Sequence, residues 1–190
     1  MPGAAMVDFP TLSTDRLLLR AVTPDDAPAF RALLAIPEVT RYSNWPDVPS
    51  EERAGELVRG MAALFPDSRG CAWIIENRAE HRADSAFIGA VRINYINRDW
   101  QCGGIGYELH PSAWGRGLMT EALRAVVDCA HGRFALHQLD AWTLPENAAS
   151  VRVLAKAGFR EEGLLRERAW FKGRRHDLRI FGRVAGDPLT

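Results

Sequence analysis

The chain has 190 residues, 47% of them hydrophobic and 25% charged, which is the composition of a globular domain large enough for a sizeable core. Lysine plus arginine and aspartate plus glutamate each number 24, so the net charge is zero and the basic surplus of a typical nucleic-acid-binding protein is absent. No apolar stretch approaches the roughly 18 residues of a membrane span, and no signal peptide is visible at the N-terminus. We therefore expect one cytoplasmic domain over residues 1–190 that binds neither nucleic acid nor membranes.

The first third of the chain predicts one strand followed by two helices. Residues 14–20 place an apolar run between two arginines, which is typical of a strand. Thr23 followed by Pro24 is a helix start, and we expect this helix to end before Pro37. Ser50 is expected to cap a second helix, because apolar residues recur after it at helical spacing.

Three strands joined by short turns come next. They are predicted at residues 71–76, 85–97 and 101–109, with a polar loop at 77–84 between the first two. Gly89 predicts a bulge or bend inside the second strand. Short turns between consecutive strands indicate an antiparallel meander.

The stretch over residues 104–133 has the clearest chemical meaning, because it runs from a strand through a glycine turn into a helix. Gly115, Arg116 and Gly117 form the turn, and apolar residues then recur at i, i+3, i+4 and i+7. The first turn of a helix leaves N–H groups unpaired and favours negative charge, while glycine lets a ligand approach the backbone closely. The turn therefore predicts a site for an anion such as a phosphate.

The last part of the chain predicts a strand, a helix and a final hairpin. The strand covers residues 138–143, and the helix begins at Asn147 and ends at Gly158. The hairpin covers residues 159–184 and turns at Lys172-Gly173. The predicted order of elements is therefore β α α β β β α β α β β, with no internal repeat and no linker.

The cysteines and histidines show no metal or disulfide pattern. Cys71, Cys102 and Cys129 are odd in number and widely spaced, which predicts reduced thiols. The histidines are scattered and have no ligand spacing, so we predict no metal. Cys102 is predicted on a strand edge without an evident partner base, which argues against a covalent enzyme intermediate.

Four blocks of sequence, taken in order, resemble one known family. The blocks are T-D-R-L-x-L-R from Thr14, G-Y-x-L-x-P from Gly106 with W-G-R-G-x-M-T-E-A from Trp114, N-x-x-S-x-x-V-L-x-K-x-G-F from Asn147, and E-G-x-L-R-E from Glu162 leading to Gly173-x-x-x-Asp177. Together they span residues 11–183 and resemble the GNAT superfamily of N-acetyltransferases, in the branch of the ribosomal-protein N-terminal (RimJ/RimL-type) acetyltransferases. The glycine turn alone would match many proteins by chance, whereas the joint order and spacing of the blocks are specific.

The resemblance implies an α/β (α+β) fold. Its sheet is expected to be mixed and mostly antiparallel, with six to seven strands that splay apart between the fourth and the fifth, and with about four helices on the two faces. The two splayed strands are expected at residues 101–109 and 138–143.

The resemblance also implies a reaction, the transfer of acetyl from acetyl-CoA directly to a primary amine without a metal. The acceptor expected for this branch is a protein N-terminal α-amine. A small-molecule amine such as an antibiotic, a polyamine or an amino acid is the alternative, because fold does not fix substrate. A rival of another class is a non-catalytic acyl-CoA-binding module. The resemblance also allows a homodimer.

By the same resemblance, backbone amides of the turn hold the pyrophosphate, and the pantetheine arm pairs with the exposed strand edge at residues 107–109. The backbone of Leu109 is the candidate for polarising the thioester carbonyl. The predicted cofactor-binding residues are Leu109, Trp114, Gly115, Arg116, Gly117, Leu118, Met119, Thr120, Asn147 and Ser150.

The resemblance implies two catalytic side chains. Glu108 is the first candidate for the base that takes the proton of the amine, through water, and His110 is the second. Ser150 is the candidate for the acid that protonates the departing thiolate, because the tyrosine used by many relatives is missing near Leu154. The alternatives are a solvated Glu108 paired with an arginine, and a capping role at the helix start for Asn147 with Ser150.

Aromatic and polar residues of one loop fall where this family builds its acceptor pocket. The predicted substrate-binding residues are Tyr42, Asn44, Trp45 and Trp100. Core packing is the alternative for each of the aromatic side chains.

Overall fold

The structure, a computed structural model, describes residues 8–78 and 87–188. The strands are β1 (Leu12–Ser13), β2 (Leu17–Ala21), β3 (Cys71–Asn77), β4 (Phe87–Asn97), β5 (Cys102–Leu109), β6 (Gln138–Thr143), β7 (Arg160–Phe171) and β8 (Arg174–Val184). The helices are α1 (Ala27–Leu34), α2 (Pro37–Thr40), α3 (Glu51–Ala63), α4 (Leu118–Gly132) and α5 (Ala148–Lys156). Within the described residues, no helix is long and apolar enough to cross a membrane.

The strands form one mixed eight-stranded sheet with the order β1-β2-β3-β4-β5-β6-β8-β7. Neighbours are antiparallel except β5 and β6, which are parallel because α4 crosses over between them. The meander of β3, β4 and β5 and the hairpin of β7 and β8 were both predicted, and they are confirmed. A register shift in the β3–β4 pairing, directly beside Gly89, is the predicted bulge.

The sheet has more strands, and the described residues more helices, than the sequence predicts. The segment predicted as one strand over residues 14–20 contains a turn, because the Thr14 backbone and hydroxyl exchange hydrogen bonds with Leu17. This turn adds β1 and brings the sheet to eight strands. Pro37 begins the additional short helix α2 instead of only ending the helix before it. The predicted loop at 77–84 lies mostly outside the described residues.

Two hydrophobic clusters hold the helices to opposite faces of the sheet. On one face, α4 and α5 pack through residues such as Leu123, Val126 and Leu154. On the other, α1 and α3 pack through residues such as Phe30 and Val58. Helices therefore cover both faces of the sheet.

The strands β5 and β6 pair only from Cys102 to Ile105 on the β5 side, and they part beyond that point. Successive side chains of a strand point to opposite faces, so Tyr107 faces α4 whereas Glu108 faces α1 and α3. On the Glu108 face, β5 carries Gly104, and the ring of Tyr95 from β4 lies across it. The gap between β5 and β6, open to both faces of the sheet, is thus the feature that positions the site. It corresponds to the predicted splay between these two strands.

Candidate active site

A cavity of about 1060 Å³ runs through the gap between β5 and β6 and is lined by residues from both faces of the sheet. On the α4 side its wall includes the turn before α4 and the start of α5. On the other side it includes residues 38–46 and part of α3. Such a passage lets two molecules approach each other from opposite faces of the sheet.

The turn before α4 has the geometry of an anion site. Gly115 and Gly117 adopt φ values of +70° and +75°, in the left-handed region that favours glycine. Gly117 is also the N-cap of α4 and has no side chain to cap the helix. The first N–H groups of the helix therefore keep their hydrogen-bonding capacity for a ligand, as predicted from the sequence. The cavity-lining members of this turn are Gly115, Gly117, Leu118, Met119 and Thr120.

The remaining residues of the turn have structural contacts. Trp114 lines the cavity and donates from its indole Nε1 to the carbonyl oxygen of Leu109 at 2.8 Å, which ties the turn to the end of β5. Met119, in the first turn of α4, borders the cavity and also packs into the hydrophobic core. Arg116 is exposed and does not line the cavity.

Asn147 and Ser150 lie at the start of α5, as predicted. Asn147 is the N-cap, and its side-chain oxygen accepts from the Ser150 N–H at 3.1 Å. The Ser150 hydroxyl is 2.8 Å from the hydroxyl of Tyr107 on β5. Leu154 is buried one turn further on, and the tyrosine that contacts Ser150 is Tyr107 on the strand.

Tyr107 is a candidate functional residue whose hydroxyl the sequence analysis did not single out. Burial raises the pKa of the Tyr107 phenol and the charge of Glu108 adds to this, while the bond with Ser150 opposes it. The phenol therefore stays protonated at neutral pH. The signal was present in β5, where Tyr107 stands between Ile105 and Leu109 on the apolar face, because a buried tyrosine hydroxyl usually has a partner.

Glu108 is buried and ion-paired. Its two carboxylate oxygens accept from both terminal nitrogens of Arg92 on β4, one of them at 2.8 Å. The indole Nε1 of Trp45 donates to the same carboxylate, and the Arg92 guanidinium lies 5.0 Å from the Trp45 ring centroid. The expected arginine partner exists, but Glu108 is buried at the cavity wall rather than solvated at the surface.

The loop after α2 lines the cavity on the side of α1 and α3. Tyr42, Asn44 and Trp45 all line the cavity, and their role in substrate binding stays a prediction. The loop is fastened to the tip of the β7–β8 hairpin, because Lys172 Nζ donates to the Thr40 carbonyl at 2.7 Å and to Asp47 Oδ1 at 2.6 Å. The hairpin therefore sets the position of this wall.

The structure does not bring Trp100 or His110 to the cavity. Trp100 is 79% exposed at the turn before β5, roughly 20 Å along the strand from Glu108. His110 begins a 3-10 turn, and its Nδ1 lies 2.8 Å from Ser112 Oγ. Trp100 is thus at the wrong end of β5 to contact an acceptor bound near Glu108.

The cysteines are free and remain thiols. Burial raises the pKa of Cys102, with a further contribution from Asp140, so its thiolate is scarce at neutral pH. Within residues 8–78 and 87–188, no three histidine, cysteine, aspartate or glutamate side chains are grouped closely enough to hold a metal ion.

Comparison with known proteins agrees with this geometry. The model of the acetyltransferase (GNAT) domain matches residues 16–160. The uncharacterized N-acetyltransferase YoaA of Bacillus subtilis (strain 168) is 34% identical over 176 residues, which cover 93% of this chain and 97% of YoaA. The ribosomal-protein-serine acetyltransferase of Escherichia coli (strain K12) is 26% identical over 142 residues, covering 74% of this chain and 76% of that protein.

Solved structures with the same fold include enzymes crystallised with coenzyme A. RimJ of Mycobacterium smegmatis in complex with CoA-disulfide has a TM-score of 0.78 at 26% identity, covering 89% of this chain and 82% of that one. The ribosomal L7/L12 α-N-protein acetyltransferase RimL in complex with coenzyme A has a TM-score of 0.83 at 23% identity, covering 94% and 99%. The predicted fold is confirmed. The chain belongs to the GNAT family of N-acetyltransferases, whose acetyl donor is acetyl-CoA.

Proposed function

We propose that this N-acetyltransferase transfers acetyl directly to the N-terminal α-amine of a protein. The observation that carries the proposal is the distribution of polar groups around the gap. Tyr107 and Ser150 meet on the α4 side, whereas Glu108 lies on the side of α1 and α3. Separate proton-handling groups on the two faces suit a reaction in which donor and acceptor enter from opposite sides.

Three regions of the cavity wall on the α4 side suit three parts of acetyl-CoA. The N–H groups at the start of α4 suit a pyrophosphate. The edge of β5 beyond Ile105 is unpaired with β6 and suits the amide-bearing arm, with Leu109 at its end. Asn147 and Ser150 border the same cavity where the arm would end. When bound, acetyl-CoA supplies an acetyl group activated as a thioester.

Glu108 takes up the proton of the amine in this proposal, through a water molecule. The amine is protonated at neutral pH and must lose a proton before it can attack. Arg92 and Trp45 hold the carboxylate at the cavity wall, so its orientation is fixed before the acceptor arrives. Pairing with Arg92 offsets the cost of burying this carboxylate at the cavity wall.

Ser150 donates a proton to the departing sulfur. The 2.8 Å contact between the two hydroxyls allows either to donate, and in this proposal the phenol of Tyr107 donates to the serine oxygen and the serine proton points into the cavity. A thiol has an ordinary pKa of about 8.5, so part of the thiolate can also leave without help. Loss of Ser150 should therefore slow the reaction without abolishing it.

A protein N-terminus is the acceptor that the site and the relatives favour together. Asn44 and Asn94 place side-chain amides at the cavity, and an amide can both donate to and accept from peptide groups. Two of the similar proteins are described as ribosomal-protein acetyltransferases. The cytoplasm is the setting we propose, because the three cysteines are free.

The deciding experiment measures thiol release from acetyl-CoA with two matched panels of acceptors. One panel contains peptides with free N-termini and the same peptides blocked at the α-amine but carrying lysine. The other contains aminoglycosides, polyamines and amino acids. Turnover that requires a free peptide N-terminus supports the proposal, whereas turnover limited to the second panel overturns it.

A small-molecule amine is the second candidate acceptor. The microcin C7 self-immunity acetyltransferase MccE, solved with acetyl-CoA and AMP, shares the fold with a TM-score of 0.79 at 18% identity. Tight CoA binding without amine-dependent release on either panel would instead support a non-catalytic acyl-CoA-binding module.

A further inference from the structure

Arg16, in the turn between β1 and β2, reaches the glycine turn. Its Nη1 donates to the carbonyl oxygen of Arg116 at 3.0 Å. Its Nε donates to Glu121 Oε2 at 2.7 Å, and its Nη2 lies 2.6 Å from the same oxygen. Arg16 therefore contacts the turn and the first turn of α4 together, from outside the cavity wall.

The Glu121 carboxylate is fixed from a second direction. Its Oε1 accepts from the Thr14 hydroxyl at 2.5 Å and from the Arg16 backbone N–H at 3.1 Å. Burial raises the pKa of Glu121, but the bonds from Thr14 and Arg16 outweigh this and hold the pKa below its ordinary value of 4.5. Glu121 is therefore ionised and fully engaged with the β1–β2 turn.

The bond to Arg116 determines where one amide points. The described peptide bonds are all trans, so the C=O and the N–H of one peptide unit point in opposite directions. With its carbonyl held by Arg16, the Arg116–Gly117 peptide turns the Gly117 N–H away from Arg16. Gly117 lines the cavity whereas Arg16 does not, which directs this N–H towards the ligand side. Glycine turns the backbone easily, so an external contact is needed to hold this peptide in one orientation.

The bond to Glu121 determines the charge at the same place. Glu121 is the acidic residue in the first turn of α4, where the helix would otherwise favour an anion. An unpaired carboxylate there would repel a phosphate. Arg16 pairs with it on two nitrogens and thereby leaves the positive end of the helix available.

We propose that Arg16 is a positioning residue for the pyrophosphate of the cofactor, through the carbonyl of Arg116 and the carboxylate of Glu121. This inference rests on the proposed placement of the pyrophosphate at the glycine turn. It also gives a function to the first block of sequence, around Thr14 and Arg16, which contains none of the residues proposed to act in the reaction.

The test compares two ligands in variants of the full chain. Calorimetry measures the Kd of CoA and of S-acetylpantetheine, which has the arm but no phosphate. Arg16→Met should raise the Kd of CoA about tenfold, because charge-assisted bonds are lost next to the phosphates. The Kd of S-acetylpantetheine should stay within about twofold of the wild-type value. Arg16→Lys can keep the ion pair with Glu121 but not the second bond, so it should fold normally and still weaken CoA binding.

Arg20→Met is the matched control. Arg20 lies on the next strand and makes charged bonds with Asp26 and Glu76, away from the turn. This variant should lower the unfolding temperature and leave the Kd of CoA unchanged. A purely structural role for Arg16 would weaken both ligands equally, and that result would overturn the inference.

One further variant, compared with Arg16→Met, separates the inference from its premise. Gly117→Glu should abolish CoA binding by clash and charge if the pyrophosphate lies at the turn. Unchanged CoA binding by Gly117→Glu would overturn both the placement and the inference. Loss of binding in Gly117→Glu together with normal CoA binding by Arg16→Met would overturn the inference alone.

Discussion

The hydroxyl of Tyr107 lies 2.8 Å from the hydroxyl of Ser150, across the gap between β5 and the start of α5. Each hydroxyl can donate one hydrogen bond, and the phenol also lies 3.4 Å from the carbonyl oxygen of Ser150, a second acceptor. Because the phenol stays protonated at neutral pH, it can serve as the donor and leave the serine proton for the substrate. With the phenol donating to the serine oxygen, the pair would deliver a proton from Ser150 into the cavity.

Tyr107→Phe tests this direction. The variant keeps the ring and removes the donor, so kcat should fall roughly tenfold, at the low end of general acid catalysis. The KM for acetyl-CoA should not change, because binding of the arm does not need the phenol. Ser150→Ala should give a similar loss, and the double variant should lose little more, since the two hydroxyls act as one unit. Steady-state kinetics of all three would show this, and strictly multiplicative losses would contradict it.

The pairing of Arg92 with Glu108 allows stability and catalysis to be separated. Arg92→Met leaves a buried carboxylate without its partner and should cost about 3–5 kcal/mol of unfolding free energy, measured in urea. The double variant Arg92→Met/Glu108→Gln removes both charges and should recover most of this stability.

The same double variant should remain inactive if Glu108 is the base. A loss of kcat of about 100-fold or more is expected, within the range of a removed general base. A stable double variant with near-normal kcat would assign Glu108 to structure alone and leave the proton of the amine to water.

The contact of Lys172 with the acceptor loop predicts an effect on one substrate only. Lys172 and Asp47 are partly exposed, so Lys172→Met should change stability by less than about 1 kcal/mol. The loop would lose its fastening to the hairpin, and the KM for the amine should rise severalfold while the Kd of CoA stays constant. Asp67→Asn, which breaks the exposed pair with Arg69, is the control and should change neither value.

The buried carboxylate of Asp26 predicts an acid-sensitive contribution to stability. Burial raises the pKa of Asp26, but bonds from Arg20 and from the Thr23 backbone and side chain hold it below its ordinary value of 3.8. A lowered folded-state pKa stabilises the fold above the unfolded pKa, and this contribution is lost as the pH falls through the folded value.

Asp26→Asn should therefore lose about 2 kcal/mol of unfolding free energy at pH 7. The difference from wild type should shrink steadily below about pH 4 and vanish in stronger acid. Urea melts at pH 7, 5, 4 and 3 would measure it, and a difference independent of pH would be inconsistent with this origin.

Local signals in the sequence were sufficient for most of the fold. The period of apolar residues located α4, the turn residues located the hairpins, and Asn147 was correctly predicted as the cap of α5. These features depend on residues within a few positions of each other. The strand β1 has two residues and was missed, because so short an element has no period to detect.

The contacts that define the site depend on pairs far apart in the chain. Tyr107 and Ser150 are separated by 43 positions, and Arg16 and Glu121 by 105. Periodicity does not report such pairs, because they depend on how the sheet and helices assemble. The motif predicts the cofactor-binding residues, and that assignment stays a prediction. Trp100 precedes β5 whereas β5 and β6 part beyond Ile105, and local sequence does not show at which end two strands separate.

Because side chains alternate between the two faces along β5, the proposed reaction depends on the register of this one strand. A slip by a single residue would turn every side chain to the other face, so Glu108 would face α4 and Tyr107 would face α1 and α3. Such a molecule could bury similar apolar area yet place the proposed base on the side of Ser150 and remove Tyr107 from its serine partner. The bulge between Ile93 and Tyr95, with the Tyr95 ring lying over Gly104, opposes this slip at the closed end of the gap. The pairing at the closed end of the gap thus determines which side of the sheet Tyr107 and Glu108 face.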